Sequence, residues 1–167
     1  MSLYDQFQTN PDKETNGVPV AFAPNQDKTI PIFTLARMGK MNKEYTKALE
    51  KATRPYRRQI ELKTMDPDVA ESVFMDVFIQ TILRGWQNVQ LPVKVDGKPV
   101  YELDEATGAV KLDAKKKPMR KVEVLAFNET NARRLFTELP DLYEDLQAEA
   151  VTVSNYHDEM LEDEAKN

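Results

Sequence analysis

The run from Asp66 to Trp86 constrains this chain more than any other stretch. Asp66 suits a helix N-cap and Pro67 the first helical position. Asp68 and Glu71 follow, where carboxylates meet the positive end of the helix dipole. Val69, Val73, Phe74, Val77, Phe78, Ile82, Leu83 and Trp86 then form an apolar face broad enough to bury against two neighbours rather than one. Gly85 and Asn88 mark the expected end. With 167 residues, 41% of them hydrophobic, the chain has the material for one domain built around such a helix.

The flanking segments supply the neighbours. Gly17 to Phe22 alternates Val18, Val20 and Phe22 on one face and reads as a strand. A turn at Pro24 to Asp27 leads to a second strand over Ile30 to Ala36, where Pro31 favours an edge position or the strand's start. The two make a β-hairpin. Asn42 is placed to cap a helix through Ala52, and Tyr45, Ala48, Leu49, Ala52, Tyr56 and Ile60 keep helical spacing past Pro55. A proline inside a helix costs about 3 kcal/mol, so this helix is expected to kink there. From Leu91 to Ala126 the texture becomes short and alternating, with an Asp96-Gly97 hairpin turn and a lysine loop at Lys115 to Lys117. Asn128 then caps a helix through Glu138. Pro140 interrupts, and Leu142, Leu146, Ala150 and Val153 mark a last helix.

The expectation is an α+β fold: an N-terminal β-hairpin, a mainly helical core, and a small β-rich insertion at about 92–126 between the central and C-terminal helices. Residues 1–16 are expected as a flexible arm and 17–157 as a single domain. Residues 158–167 are expected as an acidic disordered tail.

Composition narrows the chemistry. The net charge of −5 argues against general affinity for nucleic acid. There is no cysteine and only His157, which excludes thiol chemistry, a histidine-based triad and the usual zinc site. No phosphate-cradling glycine loop is present. Asp66 with Asp68, and Glu162, Asp163 and Glu164, could be paired carboxylates, but a cap and a solvated tail explain them. The reading is a protein that is not an enzyme, with no cofactor. It has no signal peptide and no run of roughly 18 apolar residues, so no membrane role is expected and the chain reads as cytoplasmic.

Charge is polarised. Between Lys28 and Lys63 there are ten basic and three acidic residues, and from Asp141 onward nine acidic residues and one lysine. Arg54, Arg57 and Arg58 flank Pro55 and Tyr56 on one side of a helical wheel. They can pair with the acidic C-terminal helix, contact a partner protein bidentately, or meet a nucleic acid. Trp86 is either core or an interface anchor. Such polarity also permits head-to-tail self-association.

Taken in series, these motifs resemble a known family. Gly17-Val18 opens the first strand, and Leu35-Ala36-Arg37 then Asn42 lead into a helix. Arg54-Pro55-Tyr56-Arg57-Arg58 precedes an Asp-capped helix ending Gly85-Trp86-Gln87-Asn88-Val89. Asn128 opens a helix running into Leu139-Pro140-Asp141-Leu142. This order resembles the tail assembly chaperones of long-tailed bacteriophages, as does the start Tyr4-Asp5-Gln6-Phe7 with Lys13-Glu14. The stretch from Pro99 to Phe127 departs from the family's more direct passage.

The resemblance implies a transient role in the host cytoplasm. Such a protein holds the tape measure protein, recruits major tail tube subunits to it, and is absent from or minor in the finished virion. Arg54, Tyr56, Arg57, Arg58 and Trp86 are the residues expected to bind partners. The competing readings are a structural tail or connector protein retained in the virion, and a nucleic-acid-binding regulator using the arginines together with Lys115 to Lys117.

Overall fold

The computed structural model describes residues 2–157. The acidic tail expected over 158–167 lies outside the described residues. The fold is α+β, with the N-terminal hairpin and helical core anticipated above. Strands β1 (Val18–Ala21), β2 (Ile32–Leu35) and β3 (Leu83–Gln87) form a three-stranded sheet in that order. The chain falls into two compact units, where one domain over 17–157 was expected.

Among the described residues, the first unit comprises 2–20, 33–85 and 128–157. Its centre is helix α5 (Pro67–Thr81), whose N-cap Asp66 accepts hydrogen bonds from the backbone of Asp68 (2.8 Å) and Val69 (3.4 Å). Helix α3 (Lys43–Thr53) packs on one side of α5, and α6 (Glu129–Glu138) packs on the other. Helix α7 (Pro140–Val151) lies on α6. The broad face of α5 thus meets two neighbours.

Three aromatic rings lock this packing. Phe78 meets Phe136 edge-on at 5.9 Å and Tyr143 at 5.3 Å, while Phe136 and Tyr143 are 5.1 Å apart. Such geometries add about 0.5–1.5 kcal/mol each beyond area burial. Leu35, Ile82, Leu135, Leu146 and Tyr156 complete the buried core.

Helix α5 stops at Thr81, five residues short of the end expected at Trp86. Ile82, Leu83 and Trp86 match a helical spacing, but the chain turns extended and Leu83–Gln87 joins the sheet. The backbone N–H of Ala36 donates to the Ile82 carbonyl (2.8 Å), and the Thr81 hydroxyl bonds back to Val77 (2.7 Å). Strand pairing overrides the helical period here, because Ile82 and Leu83 stay buried in either conformation.

Residues 2–16, expected as an arm, are largely helical. Helix α1 spans Leu3–Phe7 and α2 spans Pro11–Asn16, capped by Asn10. The Asn10 N–H donates to Tyr156 (2.7 Å) and the Lys13 ammonium to the His157 carbonyl (2.9 Å). Glu14 is buried against Arg37 (3.2 Å) and the Thr9 hydroxyl. Composition suggested a mobile start, but this paired carboxylate fastens it to the core.

Gly17 ends α2 at φ +99°. A Cβ there would come within 2.8 Å of Thr34 Cγ2 and 3.0 Å of the Leu35 carbonyl carbon, so only glycine fits this close approach.

The second unit comprises residues 21–32 and 86–127. Strand β4 (Gln90–Pro92) pairs antiparallel with β7 (Val122–Val124), placing Leu91 opposite Glu123. Strands β5 (Lys94–Val95) and β6 (Lys98–Pro99) form the expected Asp-Gly hairpin, with Asp96 at φ 51° and Gly97 at φ 75°. Beyond it, three segments close on one another. Lys111 N donates to Glu102 O (2.9 Å), Glu102 N to Met119 O (2.9 Å), and Met119 N to Lys111 O (2.8 Å). Val93, Val100 and Lys121 make a second such triangle. The backbone is satisfied with no open edge at these levels.

Candidate protein-docking surface

The surface is built on the kinked helix. Asn42 caps α3 through its side-chain oxygen, which accepts from Tyr45 N (3.1 Å), while its amide donates to the Arg37 carbonyl (2.9 Å). Pro55 cannot continue the α-helical ladder, so Arg54–Tyr56 form one 3₁₀ turn before α4 (Arg57–Glu61) resumes. This is the expected kink. No residue of α3, the turn or α4 is fully buried, so the whole ledge faces outward along one side.

An open groove of about 620 Å³ runs between this ledge and α5. Ala48, Ala52, Pro55 and Tyr56 line one wall, with Val73 and Val77 on the other. The alanines explain its existence: one turn apart on α3, they reach too little to fill the gap. Lys51, Asp76 and Gln80 supply polar groups at its margin. Ile60 and Leu62 continue the exposed apolar character beyond Tyr56.

The arginines stand beside this groove. Arg54 pairs with Glu50 at 3.4 Å, an exposed contact one turn away worth well under 1 kcal/mol. Among the described residues, neither Arg57 nor Arg58 forms an ion pair. The pairing with α7 considered from sequence is not formed with Asp141, Glu144, Asp145 or Glu149. Arg54, Tyr56, Arg57 and Arg58 therefore share one exposed segment.

Trp86 belongs to the second unit and has partners there. Its indole N–H donates to Leu125 O (2.9 Å), and its ring meets Phe127 edge-on at 5.1 Å. It is half-buried and serves the packing of that unit. Lys115 to Lys117 also belong to the second unit, at an exposed loop organised by the Asp113 carboxylate.

Sequence reasoning missed three features. Helix α1 exposes Leu3, Tyr4 and Phe7 together; the Ser2-to-Asp5 spacing of a capping box was the available signal. In the second unit Leu103 and Val110 face each other across a bridge and both are exposed, as is Leu112. Three closed segments enclose little space, so their apolar side chains turn outward. Finally, Tyr143 is buried with no hydrogen-bond partner for its hydroxyl among the described residues. Burial pushes its pKa up to about 12, with smaller contributions from Glu71 and Tyr45. Among the described residues, no helix is long and apolar enough to cross a membrane.

The protein is α+β, with an open inter-helical groove beside an exposed arginine segment, and its ancestry is phage. Residues 40–167 match the family described as YdaY prophage protein, and the chain belongs to that family. The matched region begins between β2 and α3, so it includes the groove, the arginines and Trp86, while the hairpin and the two N-terminal helices precede it. Neither a curated protein nor a solved structure matches the chain.

Proposed function

We propose that this phage-derived protein is a tail assembly chaperone. It acts in the host cytoplasm without catalysis, holding the tape measure protein and bringing major tail tube subunits to it. The observation that carries the reading is the open groove between α3 and α5. A groove walled by two helices accepts a third amphipathic helix through its apolar stripe, and a tape measure is a long succession of such stripes. Arg54, Arg57 and Arg58 beside the groove suit the acidic flanks of a bound helix and add specificity rather than bulk affinity.

The test is co-expression with the tape measure protein of the same prophage. The tape measure is expected to stay soluble and to co-purify with this chain. Replacing all three arginines by alanine is expected to lower the recovered complex severalfold. A tape measure equally soluble without this chain removes the assignment.

A second reading, a tail or connector subunit retained in the virion, is favoured by the outward-facing Leu103, Val110 and Leu112 of the second unit. Abundance in purified particles separates the two: a chaperone is nearly absent, a subunit stoichiometric.

A further inference from the structure

Helices α5 and α7 border a cavity of about 290 Å³ that shares no lining residue with the α3–α5 groove. Its walls are Glu71 and Phe74 from α5 and Pro140, Tyr143, Glu144 and Gln147 from α7. The volume sits at the small end of ligand sites, with room for one side chain or a group of that size.

The two carboxylates occupy equivalent places on their helices. Each helix opens with proline, then aspartate, and carries glutamate at its fifth position: Pro67, Asp68 and Glu71, and Pro140, Asp141 and Glu144. The helix dipole acts mainly within the first turn, so it favours the aspartates more than the glutamates. Among the described residues, neither glutamate carboxylate is engaged in an ion pair or a hydrogen bond. Arg133 lines an adjoining cavity with Glu71, but it is paired with Asp76 and donates to Ser72 Oγ (3.4 Å).

Tyr143 is an independent sign that a polar group belongs in this cavity. It is 5% exposed, and its hydroxyl has no partner among the described residues. Its ring is held against Phe78 and Phe136, which keeps the hydroxyl away from water. Burial, then Glu71 and Tyr45, raise its pKa, so the hydroxyl and the Glu71 carboxylate stand within each other's field. An unpaired buried hydroxyl is costly, and a donor placed in the cavity removes that cost.

From this we infer that the cavity binds a guanidinium group, the arginine side chain of a partner protein. Guanidinium is planar and carries five donors, which Glu71 and Glu144 can accept as charged partners. The Tyr143 hydroxyl and the Gln147 amide oxygen add neutral acceptors, and the ring of Phe74, 42% exposed, offers a face on which the cation can stack. A lysine ammonium has three donors, holds its hydration more strongly and cannot stack, so it gains less here.

The source follows from exposure. Glu71, Phe74, Pro140 and Glu144 all reach solvent, so a free small molecule would keep much of its surface in water, whereas small-ligand sites cover most of theirs. A side chain carried on a larger surface does not need that enclosure. The site is separate from the groove, and the inference holds whether or not the chain is a tail assembly chaperone.

The test titrates the isotope-labelled full chain at low salt with acetyl-Gly-Arg-Gly-amide and follows backbone amide shifts by NMR. Shifts at Phe74, Tyr143, Glu144 and Gln147 are expected to saturate with a Kd of about 1 mM. The lysine counterpart is expected to bind at least about threefold more weakly. Free arginine is expected to do likewise, by about threefold, because its α-carboxylate meets two glutamates.

Glu71→Gln with Glu144→Gln keeps the shape of both exposed side chains and is expected to weaken binding at least about tenfold; Glu144→Gln alone replaces it if the pair fails to fold. Tyr143→Phe is expected to weaken binding about threefold while the protein becomes more stable, a split that a purely structural hydroxyl would not give. Shifts that do not saturate by about 10 mM, an affinity unchanged in the glutamine variant or in Tyr143→Phe, or a lysine peptide bound as tightly as the arginine peptide each overturns the inference. Free arginine bound as tightly as the peptide overturns the partner protein as the source.

Discussion

The hydroxyl of Tyr143 offers the sharpest quantitative test of the helical core. Replacing Tyr143 by Phe keeps the ring against Phe78 at 5.3 Å and Phe136 at 5.1 Å, and removes only an oxygen with no hydrogen-bond partner among the described residues. Leaving a buried hydroxyl unpaired costs about 1–3 kcal/mol. Taking the low end of that range, Tyr143→Phe is expected to stabilise the protein at neutral pH by about 1 kcal/mol, or roughly 2–4 °C in Tm for a chain of this size.

The alkaline limb adds a second readout. Burial raises the folded pKa from 10.0 to about 12. Below the unfolded value both states hold the proton and this group leaves stability flat. As pH rises past it, the unfolded phenol ionises first, so stability falls by up to about 1.4 kcal/mol per pH unit until the folded pKa is reached. The variant lacks this loss, while Tyr156, also raised by burial, supplies a background common to both proteins. Urea titrations by circular dichroism at neutral pH and near pH 11 are therefore expected to show a gap that widens with pH. A variant less stable than wild type at neutral pH would mean that the hydroxyl is satisfied, and a gap of constant size would refute the linkage.

Four further outcomes follow from the surroundings of named residues. Gly17→Ala combines a φ of +99° with a Cβ 2.8 Å from Thr34 Cγ2 and 3.0 Å from Leu35 backbone; a loss of about 2–4 kcal/mol in chemical denaturation is expected. Gly85→Ala, with nothing within 4 Å, is the control and is expected to stay within about 0.5 kcal/mol. Asp66→Ala removes the side-chain acceptor of two N–H groups at the start of α5 and is expected to cost about 1 kcal/mol in thermal unfolding. Trp86→Phe deletes the bond to Leu125 O and strands a carbonyl, for an expected loss of about 1–3 kcal/mol, read by circular dichroism because the fluorophore is gone.

Local signals on the chain gave a faithful guide wherever one residue type has one physical use. Asp66-Pro67, Asn42, Asn128 and Asp96-Gly97 each satisfy or redirect specific backbone groups, and the structure uses all four as expected. Reading failed where tertiary pairing decides. Thr81 to Trp86 carries apolar spacing compatible with helix or strand, and only the partner β2 settles it. The N-terminal helices looked polar and detachable, because the value of Glu14 lies in Arg37, twenty-three residues away. Of the residues expected to bind partners, Arg54, Tyr56, Arg57 and Arg58 were legible as one exposed segment. The groove beside them was not, since it depends on what α5 fails to touch.

That groove has a thermodynamic signature that bears on its purpose. Ala48 and Ala52 on α3, and Pro55 in the turn that follows it, line one wall of the groove with small side chains. A leucine at either alanine would bury several methylenes at about 0.8 kcal/mol each and retain strong helix propensity. A groove kept open forgoes this stabilisation, as functional surfaces commonly do. Ala48→Leu and Ala52→Leu are thus expected to raise stability by about 1–2 kcal/mol each while lowering occupancy of the groove by any partner helix that it binds. Stability rising with association unchanged would make the groove a packing defect. Stability falling at both positions would show that the space is not available to a side chain at all.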